Sequence, residues 1–194
     1  MSYHIYSTDG IILKRTAFGE ANALVHILTS DLGLIIASAQ SARLSTSKLS
    51  SALTEYSLVS LSVIKAKRGW KVTDARAKEN FYFDSHIFSK NMLARISAFL
   101  LQMMPGEEPH KEIFEIIYSG FYFLRTLSES DVQNFETVIV LRVLHHLGYV
   151  AKNVDTESFM ADTTTWNETL LTDAFKNRTR LVGVINKGIQ ESHL

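Results

Sequence analysis

The segment EYSLVSLSVIKAKRGWKVTDA, residues 55–75, contains two alternating runs joined by a glycine-containing turn at 66–69. In the first run valine or leucine occupies every second position from 59 to 63, and serines lie between them. In the second run Trp70 and Val72 alternate with a lysine and a threonine. Apolar residues at every second position are typical of strands with one buried face. The segment therefore predicts a β-hairpin.

Three further strands are predicted upstream of this hairpin, at residues 10–16, 22–30 and 34–39. The turn DLG at 31–33 separates the last two and predicts a second hairpin. Five short strands joined by tight turns are typical of a small closed sheet. Residues 1–80 therefore predict a five-stranded β-barrel.

The apolar period changes to that of a helix after about residue 85. One stripe of a first predicted helix, which ends at Pro105, contains Phe88, Met92, Ile96, Phe99, Leu100 and Met103. Pro109 opens a second predicted helix. Ser130 is the predicted N-cap of a third helix, and Gly148 is its predicted C′ residue.

The chain divides into two predicted domains near residues 79–85. Residues 1–80 form the barrel domain and residues 81–194 form an α-helical domain, so the fold class is α+β. Residues 151–165 are polar without a period and predict a loop. One or two short helices are expected after this loop.

The composition excludes several classes of protein. The chain has 194 residues, of which 46% are hydrophobic and 21% charged, as expected of a folded protein with a core. It contains no cysteine, which excludes disulfides and thiolate metal sites. No apolar run reaches the length of a membrane span, and the N-terminus lacks the pattern of a signal peptide. We therefore expect a soluble intracellular protein.

A net charge of zero conceals an uneven distribution of charge. Residues 1–80 carry ten Lys+Arg against six Asp+Glu, whereas residues 81–165 carry six against eleven. Within residues 33–73 there are six cations and a single acid, Glu55. Such asymmetry favours contact between the N-terminal half and a polyanion. The alternative is an ordinary solvated surface.

The segment SAQSARLSTSKLS, residues 38–50, is rich in serine and contains no acid. Its cations are Arg43 and Lys48. Hydroxyl groups, backbone N–H groups and cationic side chains are the groups that bind phosphate oxygens. We interpret the segment as a phosphate-binding loop, with a flexible solvated connector as the alternative.

No catalytic constellation is recognisable in the sequence. It has no glycine-rich phosphate loop and no nucleophile-elbow spacing. The pair His145-His146 does not form a metal site, because adjacent helical residues point about 100° apart. We expect a protein that is not an enzyme and has no cofactor, with a small hydrolase using His and Glu as a weaker alternative.

The order of motifs resembles the RecO family of recombination mediators. The family's N-terminal domain has a strand ending in a basic pair and then a Gly-Glu turn, here Lys14-Arg15 and Gly19-Glu20. Its Ala-Lys-Gly-Ala-Arg segment corresponds to residues 39–43, AQSAR. A later helix that ends in Leu-Gly-Tyr corresponds to FETVIVLRVLHHLGY, residues 135–149. The last residues, GIQESHL (188–194), resemble a reduced form of the family's C-terminal region.

This resemblance implies a fold, an activity and partners. The barrel would be an OB-fold that binds single- and double-stranded DNA. The protein would promote strand annealing and help to load a recombinase onto DNA coated by single-strand-binding protein. RecR would be its obligate partner, and the acidic C-terminal tail of single-strand-binding protein a second one. Its location would be cytoplasmic and nucleoid-associated.

The basic excess and the resemblance together predict the binding residues. The predicted DNA-binding residues are Lys14, Arg15, Arg43, Ser47, Lys48, Lys65, Lys67, Arg68 and Lys71. Trp70 and Tyr56 could stack on bases, although core packing is the alternative for both. The cations considered for an acidic tail are Arg95, Arg125, Arg142, Arg178 and Arg180. Arg142 is the predicted partner-binding residue; its alternatives are an ion pair with Glu136 or a stem that reaches solvent.

The sequence departs from the family pattern at two places. Gln40-Ser41 replaces the usual Lys-Gly pair, which removes one expected DNA-facing cation. Many members also carry a four-cysteine zinc module after the Leu-Gly-Tyr helix, where this chain has only a shortened loop at 150–165. We therefore expect no zinc. The first departure leaves an alternative function open, namely an OB-fold protein-interaction module with weak or no DNA binding.

Overall fold

The computed structural model describes residues 4–83, 85–104 and 106–192. Contacts divide the chain into two compact units. The first comprises residues 1–84 together with 105–111, and the second comprises residues 85–104 together with 112–194. The segment 105–111 thus joins the barrel unit, although the sequence pattern had placed it between two helices of the other domain.

The first unit is a closed five-stranded barrel. Its strands are β1 (Ile5–Phe18), β2 (Asn22–Thr29), β3 (Gly33–Ala39), β4 (Ser57–Ala66) and β5 (Gly69–Asn80). They follow the order β1-β2-β3-β5-β4 around the barrel. The β3–β5 pairing is parallel and the other pairings are antiparallel. A small five-stranded barrel of this kind has the OB-fold architecture, so the predicted fold is confirmed.

Alternating apolar residues fill the barrel as the sequence pattern predicted. Val59 and Val63 are fully buried, and Leu61 between them is 3% exposed. Trp70 also points inward, is 6% exposed, and meets Tyr6 edge to face at 5.3 Å between ring centres. Core packing is therefore the role of Trp70, because a buried indole presents no face to a nucleobase.

The serine-rich segment contains a short helix, α1 (Lys48–Ala52), where a loop was expected. Ala52 and the following Leu53 are buried and belong to the barrel core. Two apolar residues at the end of a polar segment therefore anchor it to the barrel.

Residues 106–108 lie against the start of β3. The N–H group of Leu34 donates a hydrogen bond to the carbonyl oxygen of Gly106 at 2.8 Å. Gly33 has φ +73, and a Cβ atom there would lie 2.2 Å from the carbonyl oxygen of Glu108. Both the left-handed backbone and the lack of space require glycine at this position.

The second unit is α-helical. Its helices are α2 (Ile87–Met103), α3 (Lys111–Leu124), α4 (Val132–His146), α5 (Glu157–Met160) and α6 (Glu168–Glu191). Gly148 follows α4 with φ +82, as a C′ glycine does. The segment 151–165 includes the short helix α5, and the C-terminal part is one long helix instead of one or two short ones.

One part of the core of the second unit lies between α4 and α6. Val138, Leu141 and Leu144 on α4 pack in one cluster with Leu181 and Ile185 on α6. None of the helices in the described residues combines the length and apolarity that a membrane span requires.

Candidate nucleic-acid interface

Two connections meet at one end of the barrel, which we call the loop end. They are the β1–β2 turn at 19–21 and the segment 40–47 after β3. The pairing of Ala23 with Ala39 brings the start of β2 to the end of β3. The β4–β5 turn at 67–68 lies at the opposite end, because β5 runs parallel to β3 and the start of β1 pairs with the end of β4. In OB-folds the corresponding β1–β2 and β4–β5 loops bind oligonucleotides together with the face of strands 2 and 3.

Arg43 links the two connections at the loop end. Its guanidinium donates hydrogen bonds to the carbonyl oxygens of Gly19 and Glu20 at 2.8 and 3.0 Å. Both bonds come from one nitrogen, and the side chain as a whole is exposed. The remaining N–H groups of this guanidinium can still donate to a phosphate.

Gln40 and Ser41 also lie in the loop end. Ser41 has φ 56, the left-handed conformation that glycine favours, and its N–H group donates to the Asn22 side chain at 2.9 Å. This backbone conformation explains why glycine suits this position in the family pattern. Gln40 is exposed, so a lysine in its place would face solvent.

The outward side chains of neighbouring strands form a surface that we call the outer face. One cross-strand row joins Lys14 on β1, His26 on β2 and Ile36 on β3. A second row runs through Thr16, Leu24, Ser38 and Lys71. Phe18 continues the outward side of β1 towards the loop end. Phe18 and Ile36 are each 52% exposed, so apolar groups lie open between cations.

His26 stands in the middle of the first row. Partial burial lowers the pKa of its imidazole, and the positive charge of Lys14 lowers it further. His26 is therefore mainly neutral at neutral pH, and the cationic charge in this row belongs to Lys14.

Besides Arg43, five of the predicted DNA-binding cations are exposed and form no ion pair among the described residues: Lys14, Lys48, Lys67, Arg68 and Lys71. Lys67 and Arg68 lie in the β4–β5 turn, and Lys14 and Lys71 lie on the outer face. Lys48 is the first residue of α1, and the predicted Ser47 is the N-cap of that helix. Four of these cations thus lie in the β4–β5 turn and on the outer face.

Two other predicted cations have partners within the barrel unit. The Arg15 guanidinium donates to the carbonyl oxygens of Ala42 at 2.5 Å and Ser50 at 3.0 Å, and so holds the serine-rich segment in place. Lys65 forms an ion pair with Glu107, which lowers the pKa of that carboxyl group. Both members of this pair are about half exposed, so the pair contributes little to stability.

Glu55, the one acid within residues 33–73, is bonded to the backbone. Its carboxylate accepts a hydrogen bond of 2.8 Å from the N–H group of Arg15. Tyr56 next to it has φ 64, stacks on Tyr82 with ring centres 5.8 Å apart, and has a pKa raised mainly by partial burial. Neither tyrosine belongs to the two cross-strand rows that form the outer face.

Arg142 is placed differently from its prediction. It is 1% exposed, and its guanidinium donates to the carbonyl oxygens of Phe159, Asp162, Thr163 and Thr165. Burial lowers its pKa to about 10, so it remains charged at neutral pH. A partner cannot reach this side chain, and the prediction that Arg142 binds one is not supported. The alternatives of an ion pair with Glu136 and of a stem that reaches solvent are not observed either, because Glu136 pairs with Arg95 and the whole side chain is buried.

Two other candidate cations line a groove in the second unit. The groove has a volume of about 340 Å³ and lies between α2, α4 and α6. Its apolar residues are Ile96, Phe99, Val140, Val182, Ile185 and Ile189. Its charged residues are Arg95, Glu136 and Arg178. Of the remaining candidates, Arg125 lies over the Tyr122 ring and Arg180 pairs with Asp155 at 2.6 Å.

Sequence reasoning missed Phe18, Ile36 and the groove. Phe18 belongs to β1, which the sequence pattern had ended at residue 16. Ile36 lies within the apolar run LIIASA, where every residue reads as core. The groove requires residues from three helices, which no local pattern connects. Among the residues described, no three His, Asp or Glu side chains form a group that could hold a metal ion.

Residues 1–81 match the family model described as Recombination protein O N terminal. A protein named DNA repair protein RecO from Thermodesulfovibrio yellowstonii is 29% identical over 153 residues, which cover 75% of this chain and 58% of that protein. One from Dehalococcoides mccartyi is 30% identical over 133 residues, covering 66% and 51%. One from Nostoc punctiforme is 26% identical over 143 residues, covering 73% and 48%. The chain spans about half the length of the curated relatives that it matches.

Proposed function

Because residues 1–81 match the model of the RecO N-terminal family, we propose that this chain binds DNA through the loop end, the β4–β5 turn and the outer face of its barrel and acts in DNA repair. The family resemblance predicted from the sequence is confirmed by the same match. The observation that carries the proposal is the set of exposed cations without internal partners, Lys14, Lys67, Arg68 and Lys71, around open apolar side chains. The relatives' printed names supply the process, DNA repair.

The barrel would hold DNA by two kinds of contact. Arg43 at the loop end would bind phosphates, as would Lys67 and Arg68 in the β4–β5 turn and Lys14 and Lys71 on the outer face. Unpaired bases would pack against the exposed Phe18 and Ile36. Stacking and phosphate contacts tolerate any sequence. Phosphate contacts alone also suit duplex DNA, whereas stacking requires unpaired bases, so single strands would bind more tightly.

Strand annealing and recombinase loading are the activities we propose for this surface. Cations that neutralise phosphates reduce the repulsion between two strands held on one protein. The protein would perform no bond-breaking chemistry and would act by binding alone. RecR is the partner that the family resemblance suggests, and we assign no surface to it.

The groove in the second unit is our proposed site for the acidic C-terminal tail of single-strand-binding protein. Arg95 and Arg178 would pair with carboxylates of the tail, and an apolar side chain would enter between α2, α4 and α6. These two arginines replace Arg142 in the proposal because both are exposed. A local basic spot beside an apolar floor allows an acidic segment to bind a domain with an excess of acids.

The alternative function is protein interaction by a barrel that has lost most DNA affinity. The exposed Gln40 at the position of the family's lysine favours it. A titration of a labelled single-stranded oligonucleotide at several salt concentrations separates the two functions. Each phosphate contact to a single strand adds about −0.7 to the slope of log affinity against log salt. We expect a slope of about −2 or steeper, for three or more contacts; a flat slope or no binding at low salt would support the alternative.

A further inference from the structure

One carboxylate stands between the two arginines of the groove. Glu136 on α4 accepts an ion pair from Arg95 on α2, with 2.7 Å between Nη2 and Oε1. The side chain of Arg95 is 63% exposed, whereas that of Glu136 is 23% exposed. Arg178 on α6 lines the same groove and forms no ion pair among the described residues. Three helices thus each place one charged side chain at this groove.

Glu136 is held in a position that disfavours its charge. Burial raises its pKa, and this effect exceeds the opposite effects of Arg95 and Arg178. In a carboxylate that served only to stabilise the helices through an ion pair, the charged form would be favoured by both arginines and only slightly disfavoured by burial. The exposed Arg95 is therefore paired with a carboxylate, Glu136, whose charged form is disfavoured by its surroundings.

We propose that Glu136 is an internal competing anion that sets the affinity of the groove for ligands with an anionic group on an apolar body. An incoming anion would take over Arg95 and share Arg178, and its apolar part would pack on Ile96, Phe99 and Val182. With Glu136 ionised, the charged lining residues have a net charge of +1, which suits an anion. The inference rests on the proposed function of the groove as the site of an acidic tail, and it adds the residue that tunes this site.

Competition between Glu136 and the incoming anion predicts that the affinity of the groove depends on pH. The charged lining residues are Arg95 from α2, Glu136 from α4 and Arg178 from α6, and the other lining residues do not titrate. Glu136, whose pKa is raised, is therefore the one lining group whose charge changes as the pH is lowered from neutral into the acidic range. Its protonation releases Arg95, so a permanently charged anion would bind more tightly as the pH falls.

The test uses naphthalene-2-sulfonate, which carries an aromatic body and stays anionic over this pH range. Binding is measured by isothermal titration with the whole chain, as wild type, as Glu136→Gln and as Glu129→Gln. Glu129 is exposed and lies outside the groove, so its variant is a control with the same charge change. We expect Glu136→Gln to bind roughly tenfold more tightly than wild type at about pH 7.5, equivalent to about 1.4 kcal/mol. We expect wild type, but not Glu136→Gln, to bind more tightly at about pH 5.

Three results would overturn the inference: equal affinities of wild type and Glu136→Gln, a pH dependence that persists in Glu136→Gln, or no binding of the probe by either. If Glu136→Gln does not fold, the pH dependence of the wild type alone tests the inference. A wild-type affinity that does not rise at the lower pH would contradict competition by Glu136.

A parallel titration with a synthetic peptide of several aspartates and a C-terminal phenylalanine separates this inference from the proposed partner. If the sulfonate responds to Glu136 and the peptide does not bind, the competition stands and the acidic tail is the wrong partner. If the peptide binds equally to wild type and Glu136→Gln, the partner stands and the competition is wrong.

Discussion

The guanidinium carbon of Arg142 lies 4.3 Å from the centre of the Trp166 indole ring. The ring covers one side of the cation, while the carbonyl oxygens of residues 159–165 accept its N–H groups. Arg142 therefore organises the segment that follows α4. A planar cation with five donors suits this task, since it can satisfy several backbone carbonyls at once.

Replacing Arg142 by alanine should destabilise the second unit. The change leaves a cavity and several carbonyl oxygens without donors, and we expect the free energy of unfolding to fall by about 3 kcal/mol. Urea unfolding monitored by tryptophan fluorescence measures it, with Arg178→Ala as the control, because Arg178 is exposed and forms no ion pair among the described residues. Equal urea midpoints for the two variants would show that Arg142 has no structural role.

Replacing Gly33 by alanine should destabilise the barrel unit. The left-handed φ costs about 1–3 kcal/mol for a residue with a Cβ atom, and the clash with the Glu108 carbonyl adds to this. Gly183→Ala is the matched control, because Gly183 lies within α6 with open space around it and alanine favours a helix. Thermal unfolding should show a lower midpoint for Gly33→Ala only; an unchanged midpoint would contradict the close approach of residue 108.

Reversing the charges of Lys67 and Arg68 should weaken DNA binding without unfolding the protein. Both side chains are exposed in the β4–β5 turn and have no ion pair among the described residues. The salt slope for a single strand should become less steep by about 1.4, the value for two phosphate contacts. Lys152→Glu with Lys187→Glu is the control of equal charge change in the other unit. If both double variants lower affinity equally, only the net charge matters and the β4–β5 turn is not part of the site.

Replacing Phe18 by alanine should weaken binding of single strands more than binding of duplexes. Loss of one stacking contact lowers the binding free energy by about 1–3 kcal/mol. Phe18 is 52% exposed, so the barrel should remain folded, and Phe175→Ala, at a 67% exposed position of α6, is the control. Fluorescence anisotropy with both forms of one oligonucleotide provides the measurement. An equal loss for single strand and duplex would argue against stacking at Phe18.

Replacing Gln40 by lysine should strengthen DNA binding. The side chain is exposed at the loop end, so a cation there would gain one phosphate contact and make the salt slope for a single strand steeper by about 0.7. Gln190→Lys, an exposed position on α6, adds the same charge in the other unit. A barrel that does not bind DNA would show no response to either substitution, which would favour the interaction module.

Local patterns in the sequence determined the type of each main element. The alternation at 59–63 and at 70–72 required strands with one buried face, and these positions do fill the barrel. Gly148 ended a helix for a local reason, a positive φ. Periodicity and turn chemistry act over a few residues, so the sequence contains them directly. The family resemblance likewise depended on an ordered series of local motifs.

Tertiary structure alone decided which charged and apolar side chains are exposed and can bind a ligand or a partner. Arg15, Arg43 and Arg142 look alike in the sequence and all donate to backbone carbonyls, yet Arg142 is buried, Arg15 is partly buried and Arg43 is exposed. Ile35 and Ile36 are identical neighbours, and only the sheet's pleat puts the first in the core and the second on the outer face. The groove exists because three helices separated in the chain converge. Exposure and partners depend on contacts between distant residues, and a linear pattern does not specify these contacts.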